Sequence, residues 1–146
     1  PEGNLVITRL SHTTVYVLDQ AEALTFYRDK LGFEVRTDQT MDNGFRWLTV
    51  GPKGQPDLEI VLMEAKEGPM WSRETAEQVR GLMAKGFAGT IFLTTDDCHA
   101  AYEELKGRGV EFVEEPEKRP YGIDSSFRDP SGNHLRLTQV RETAAV

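Results

Sequence analysis

The stretch Phe127-Arg128-Asp129-Pro130-Ser131-Gly132-Asn133-His134-Leu135-Arg136-Leu137 decides the fold. Asp129-Pro130 opens a turn, Gly132 permits a positive φ, and Asn133 can bond nearby backbone before a final strand begins. That strand runs from His134 to Val140, and alternation sets Leu135 and Leu137 on one face with His134, Arg136 and Thr138 on the other. Arg128 beside Asp129 reads as a local structural pair. Pro52-Lys53-Gly54-Gln55 resembles Pro130-Ser131-Gly132-Asn133 at an offset of 78, which points to an earlier copy of the same turn.

Working outward, the two copies acquire the same element order. Leu5 to Leu18 is strand-like. Asp19 caps a helix whose stripe is Ala21, Leu24, Tyr27 and Leu31, ended by Gly32. Strands follow at Phe33 to Met41, Phe45 to Val50 and Leu58 to Met63. A connecting helix spans Ser72 to Lys85. The second copy then runs strand Gly89 to Thr95, helix Cys98 to Arg108, and strands near Val110 to Val113, Ser125 to Arg128 and His134 to Val140. Sliding the halves by 77 superposes Thr13 on Thr90, Asp19 on Asp96, Gly32 on Gly109 and Leu58 on Leu135. The expected class is α+β: a βαβββ module over 5–64, a helical linker over 65–87, a second βαβββ module over 88–140 and a tail over 141–146. Together they make one domain, with the strands in a cupped mixed sheet and the helices on its outer face.

Composition narrows the function. Seventeen Lys plus Arg against 24 Asp plus Glu give a formal charge of -7, which offers no field for nucleic acid or an anionic membrane. No apolar run has the roughly 20 residues of a spanning helix, and the first residues lack signal-peptide character, so a cytoplasmic protein is expected. A single cysteine, Cys98, excludes an internal disulfide and a Cys-based zinc cluster. Asp96 and Asp97 oppose thiolate formation at Cys98, and His99 reads as solvent-facing. The run Glu111, Glu114, Glu115, Glu117 reads as solvated edge charge.

His12 in the first strand, Ala23-Leu24-Thr25-Phe26-Tyr27 with Leu31-Gly32-Phe33, and the stretch Phe127 to Leu135 together resemble the vicinal oxygen chelate superfamily. That superfamily includes glyoxalase I, bleomycin-binding resistance proteins and extradiol dioxygenases. The resemblance covers nearly the whole chain and implies paired βαβββ modules around a small-molecule cavity, often in a homodimer. In metal-dependent relatives the positions matching His12, Glu59, Gly89 and Arg136 hold the ligands. Here His12 and Glu59 remain, whereas Gly89 has no ligand atom and Arg136 puts a permanent cation where the ion would sit. His134 shares the face of Arg136 but lies about 6 to 7 Å along the strand.

No cofactor is therefore favoured, and a divalent metal on His12 and Glu59 is the alternative. Glu59 and Arg136, read as repeat equivalents, are expected to pair across the pseudo-twofold axis, as a structural bridge or as a polar ligand site in which Arg136 receives an anionic oxygen. His12, Tyr16, Trp47, Glu59, Ile91, Leu93, Tyr121, His134 and Arg136 are the expected ligand-binding residues, with Glu59, His12 and Arg136 the catalytic candidates. Trp71 reads as a packing anchor or dimer contact. Three functions fit: a metal-independent enzyme, a non-catalytic antibiotic-binding protein, and a metal-dependent lyase, transferase or dioxygenase.

Overall fold

A computed structural model describes residues 5–141. β1 (His12–Val17) leads to α1 (Gln20–Leu24), which continues as a π-helical stretch, Thr25–Lys30; β2 (Glu34–Thr40), β3 (Arg46–Gly51) and β4 (Glu59–Glu64) complete the first module. α2 (Arg73–Ala84) connects it to β5 (Thr90–Thr94), α3 (Cys98–Gly107), β6 (Phe112–Arg119), β7 (Gly122–Arg128) and β8 (His134–Val140). The eight strands form two four-stranded sheets, β1-β4-β3-β2 and β5-β8-β7-β6, each with one parallel pair at its β1 or β5 end. Element order and strand grouping are thus those of two tandem βαβββ modules.

Local signals account for the helices. The Asp19, Ser72 and Asp97 side chains accept from Glu22 N, Thr75 N and Ala100 N, satisfying donors that a helix start leaves open. The first helix buries Ala23, Phe26 and Tyr27, while Ala21 is exposed and Leu24 and Leu31 are only partly buried. The stripe is displaced because the wider π turn, with Leu31 N bonded to Phe26 O, changes the angular step that a 3.6-residue period assumes. The strand expected to begin at Leu5 begins at His12, and residues 5–10 are exposed.

One core joins both modules. Val15, Val17, Leu48, Val50, Ile60 and Leu62 from the first sheet, Phe127, Leu135 and Leu137 from the second, and Val110 just ahead of β6 pack around Phe26, Tyr27 and Phe33. Phe127 is sandwiched at 6.2 Å from Phe26 and 5.2 Å from Phe112, ring centre to ring centre.

The Asp129–Asn133 turn locks the modules together. Asp129 accepts from Tyr27 Oη at 2.8 Å and from Asn133 Nδ2 at 2.9 Å, so its carboxylate serves the turn and the first helix instead of Arg128. Asn133 Nδ2 also donates to Tyr16 O at 2.7 Å, and Ser131 Oγ accepts from Leu18 N at 2.8 Å. Gly132 has φ +97°, and a Cβ there would lie 2.4 Å from Met83 O, so the turn seats against the end of α2 only as glycine.

Candidate functional site

Each sheet gives one face to the core and leaves the other open, and the open faces carry the polar and aromatic groups. On the first sheet, β1 and β4 are parallel with His12 opposite Glu59. Ile60 and Leu62 turn to the core, so Glu59 turns outward. Glu59 Oε1 accepts from Thr49 Oγ1 at 2.6 Å, and its Oε2 lies 3.5 Å from His12 Nε2. The His12 ring sits 6.0 Å from Trp47, and Tyr16 meets Trp71 edge-on at 5.0 Å. His12, Glu59, Tyr16 and Trp47 are thus brought onto one wall, with Trp71 added from the connecting segment.

The second sheet has a different centre. Arg136 donates from Nε to Asp124 Oδ2 at 3.0 Å, engages the same oxygen through Nη2, and places Nη2 3.0 Å from Glu114 Oε1. Its Nη1 lies 3.4 Å from His134 Nε2. Asp124 also accepts from Thr138 Oγ1 at 2.8 Å and Tyr121 Oη at 3.1 Å, and Glu114 accepts from Ser126 Oγ at 2.8 Å. Burial raises the Asp124 pKa, but the bonds from Arg136, Thr138 and Tyr121 outweigh it and hold the carboxyl below its ordinary value. Glu114 is lowered as well, first by the Ser126 bond and then, against desolvation, by the Arg136 charge.

The expected Glu59–Arg136 pair is not formed. Glu59 is bonded within the first sheet, and Arg136 is clasped by two carboxylates of its own. Nor are they repeat equivalents: Val50 pairs with Ile60 as Phe127 pairs with Leu135, which matches Glu59 to His134 and Val61 to Arg136. At β5 the register moves by one. Gly89 precedes the strand with φ +135°, and Thr90 is the residue opposite His134, as His12 is opposite Glu59. Ile91 and Leu93 consequently pack toward the core, and Phe92, 75% exposed, takes the open face opposite Arg136.

Sequence reasoning therefore missed Phe92, Thr49, Asp124, Ser126 and the cluster role of Glu114. Of the minor candidates, Cys98 is buried, with Sγ 3.5 Å from Ser125 Oγ, and His99 is exposed.

A divalent ion requires several nitrogen or oxygen donors converging on one point. His12 and Glu59 offer one nitrogen and one carboxylate. The third corresponding place holds Thr90, and the fourth His134, whose Nε2 lies 3.4 Å from the Arg136 guanidinium, a charge that opposes a metal there. Among the described residues no three His, Cys, Asp or Glu side chains converge in a way that could hold an ion. These residues do not fit the superfamily's metal.

The model of the Glyoxalase/Bleomycin resistance protein/Dioxygenase superfamily matches residues 9–137. The crystal structure of UcmS2 is 48% identical, covers 92% of this chain and 99% of its own, and superposes with a TM-score of 0.86. TnmS3, an antibiotic binding protein from Streptomyces sp. CB03234, is 32% identical over 94% of this chain and 100% of its own, with a TM-score of 0.72. YurT of Bacillus subtilis (strain 168), an uncharacterised protein, is 35% identical over 128 residues, 87% of this chain and 95% of its own.

Proposed function

The chain belongs to the Glyoxalase/Bleomycin resistance protein/Dioxygenase superfamily, and on that premise we propose that it binds an antibiotic-like small molecule without a metal ion. The observation that carries the reading is the double clasp of Arg136 by Asp124 and Glu114. With its charge already balanced, the guanidinium does not act as a strong anion receptor; it keeps a donor edge at Nη1 beside His134. The first-sheet wall supplies aromatic surface from Tyr16, Trp47 and Trp71, with His12 and Glu59 as polar contacts. Aromatic surface with a few fixed polar groups suits retention of a drug-like ligand. The likeness to TnmS3, whose description is that of an antibiotic binding protein, supports binding over turnover.

The test is a panel of aromatic antibiotics, bleomycin included, followed by tryptophan fluorescence and calorimetry, with recovered ligand checked for chemical change. Stoichiometric binding of an unaltered ligand supports sequestration; a transformed product contradicts it.

A second reading has one observation in its favour. His12 Nε2 and Glu59 Oε2, 3.5 Å apart, form half of a metal-binding set, which suits a lyase, transferase or dioxygenase that takes further ligands from elsewhere. An ion bound stoichiometrically and lost in both His12→Ala and Glu59→Ala would support it.

A further inference from the structure

A cavity of about 320 Å³ opens at the end of the first sheet, where β1 and β4 finish with Val17 opposite Glu64. Two turns enclose it. In one, Asn43 Oδ1 accepts from Phe45 N at 3.0 Å and Gly44 takes φ +88°; in the other, Gly68 and Trp71 exchange backbone bonds, N to O, at 3.1 and 3.3 Å. Gln20, Arg46 and Glu64 line the cavity between them, and Phe45, Met70 and Trp71 supply its apolar surface. Glu64 follows Ile60 and Leu62 at alternate positions of β4, so its side chain leaves the strand on the side opposite Glu59.

The cavity has acceptors to spare. Gln20 is only 8% exposed, and its Nε2 donates to Arg46 O at 3.1 Å and Leu62 O at 2.8 Å. Those bonds fix the amide's orientation and leave Oε1 without a donor among the described residues. Glu64 Oε1 accepts from Gln20 N at 3.2 Å, while its Oε2 lies 3.4 Å from Lys66 Nζ. The Lys66 side chain is 63% exposed, so this is a weakly held surface pair. Arg46 brings no free charge, since Asp38 holds it through two bonds of 2.8 Å.

The second module shows how much of this the fold needs. Gln139 stands to Glu64 as Leu135 stands to Ile60, and Cys98, like Gln20, is the first residue of its helix. There Gln139 Oε1 accepts from Cys98 N at 2.9 Å. A neutral amide completes the bond that Glu64 makes in the first module. The Glu64 charge and the free Gln20 carbonyl are therefore surplus to the fold.

We propose that this cavity binds a primary ammonium carried on a short aromatic body. The ammonium, with three donors and no acceptor, takes the place of Lys66 Nζ beside Glu64 Oε2 and donates to Gln20 Oε1. Its ring packs against Phe45 and Trp71, in a space that suits a single ring and a short chain. The site does not rest on the antibiotic reading, because His12, Trp47 and Glu59 do not line it.

Phenethylamine, titrated at neutral pH into the nitrogen-labelled full chain, tests this through the indole N–H signals of Trp47 and Trp71, assigned with Trp47→Phe. The Trp71 signal is expected to shift and saturate while that of Trp47 stays in place, and phenylacetate is expected to move neither. Glu64→Gln is expected to weaken binding about tenfold, the worth of a charge-assisted hydrogen bond, with unchanged far-UV circular dichroism because the amide keeps the bond to Gln20 N. Lys66→Ala removes the competing ammonium and is expected to tighten binding. No saturable shift at Trp71, a shift at Trp47 in its place, an equal response to phenylacetate, an affinity unchanged in Glu64→Gln or a weaker one in Lys66→Ala would each overturn the proposal.

Discussion

Asp124, with a side chain only 1% exposed, holds the Arg136 guanidinium through both Nε and Nη2 from the neighbouring strand. Removing the carboxylate leaves a partly buried cation with Glu114 alone and frees Thr138 and Tyr121 of their acceptor. Asp124→Ala is expected to cost about 2 to 4 kcal/mol, near the lower range for breaking a buried pair because Arg136 keeps some solvent contact. Urea unfolding followed by circular dichroism measures it; a loss below about 1 kcal/mol would mean the cluster is not a structural unit.

The same cluster sets an acid limit. Asp124 and Glu114 both have folded-state pKa values below their unfolded values, so each contributes stability that is complete above the unfolded values of roughly 4. That contribution disappears as pH falls through the depressed folded-state values. Unfolding free energy is expected to decline steeply below about pH 4, and less steeply in Asp124→Asn. Equal slopes in the two proteins would contradict this.

Asn133 carries contacts on both sides of the module boundary, to Tyr16 O and to Asp129. Asn133→Ala strands a buried acceptor and is expected to cost about 2 kcal/mol. Tyr27→Phe removes one bond to Asp129, which retains Asn133 and the backbone donors of the turn, and is expected to cost about 1 kcal/mol. Thermal denaturation ranks the two; the reverse order would show that the Tyr27–Asp129 bond, and not Asn133, is the stronger tie between the modules.

Trp47 and Trp71 are the only tryptophans, and both lie at the proposed aromatic wall. A bound aromatic antibiotic is expected to quench their emission, with the larger share of quenching lost in Trp47→Phe, whose ring is next to His12. Quenching unaffected by either Trp47→Phe or Trp71→Phe would place the ligand elsewhere.

Much of this architecture is legible in the chain, since caps at Asp19, Ser72 and Asp97, glycines after helices and the turn at Asp129 are local events written in residue type. β8 begins and ends where its alternation says. The register of β5 was not legible, because Ile91-Phe92-Leu93 are all apolar and alternation cannot say which of them face the core. Ladder pairing with β8 decides it. Similarly, nothing adjacent in sequence marks Asp124 as the partner of Arg136: it lies diagonally across the β7–β8 pair, where Asp124 opposes Thr138 and Ser126 opposes Arg136. The residue types at the centre were readable, but the partners that set their charge state depend on cross-strand geometry.

The most direct test of metal-independent binding is elemental analysis of untagged protein combined with calorimetry of the best antibiotic from the panel, with and without chelator. Metal-independent recognition requires substoichiometric metal and an affinity that chelator leaves unchanged. One equivalent of a divalent ion, lost together with ligand affinity in His12→Ala and on chelation, would contradict it.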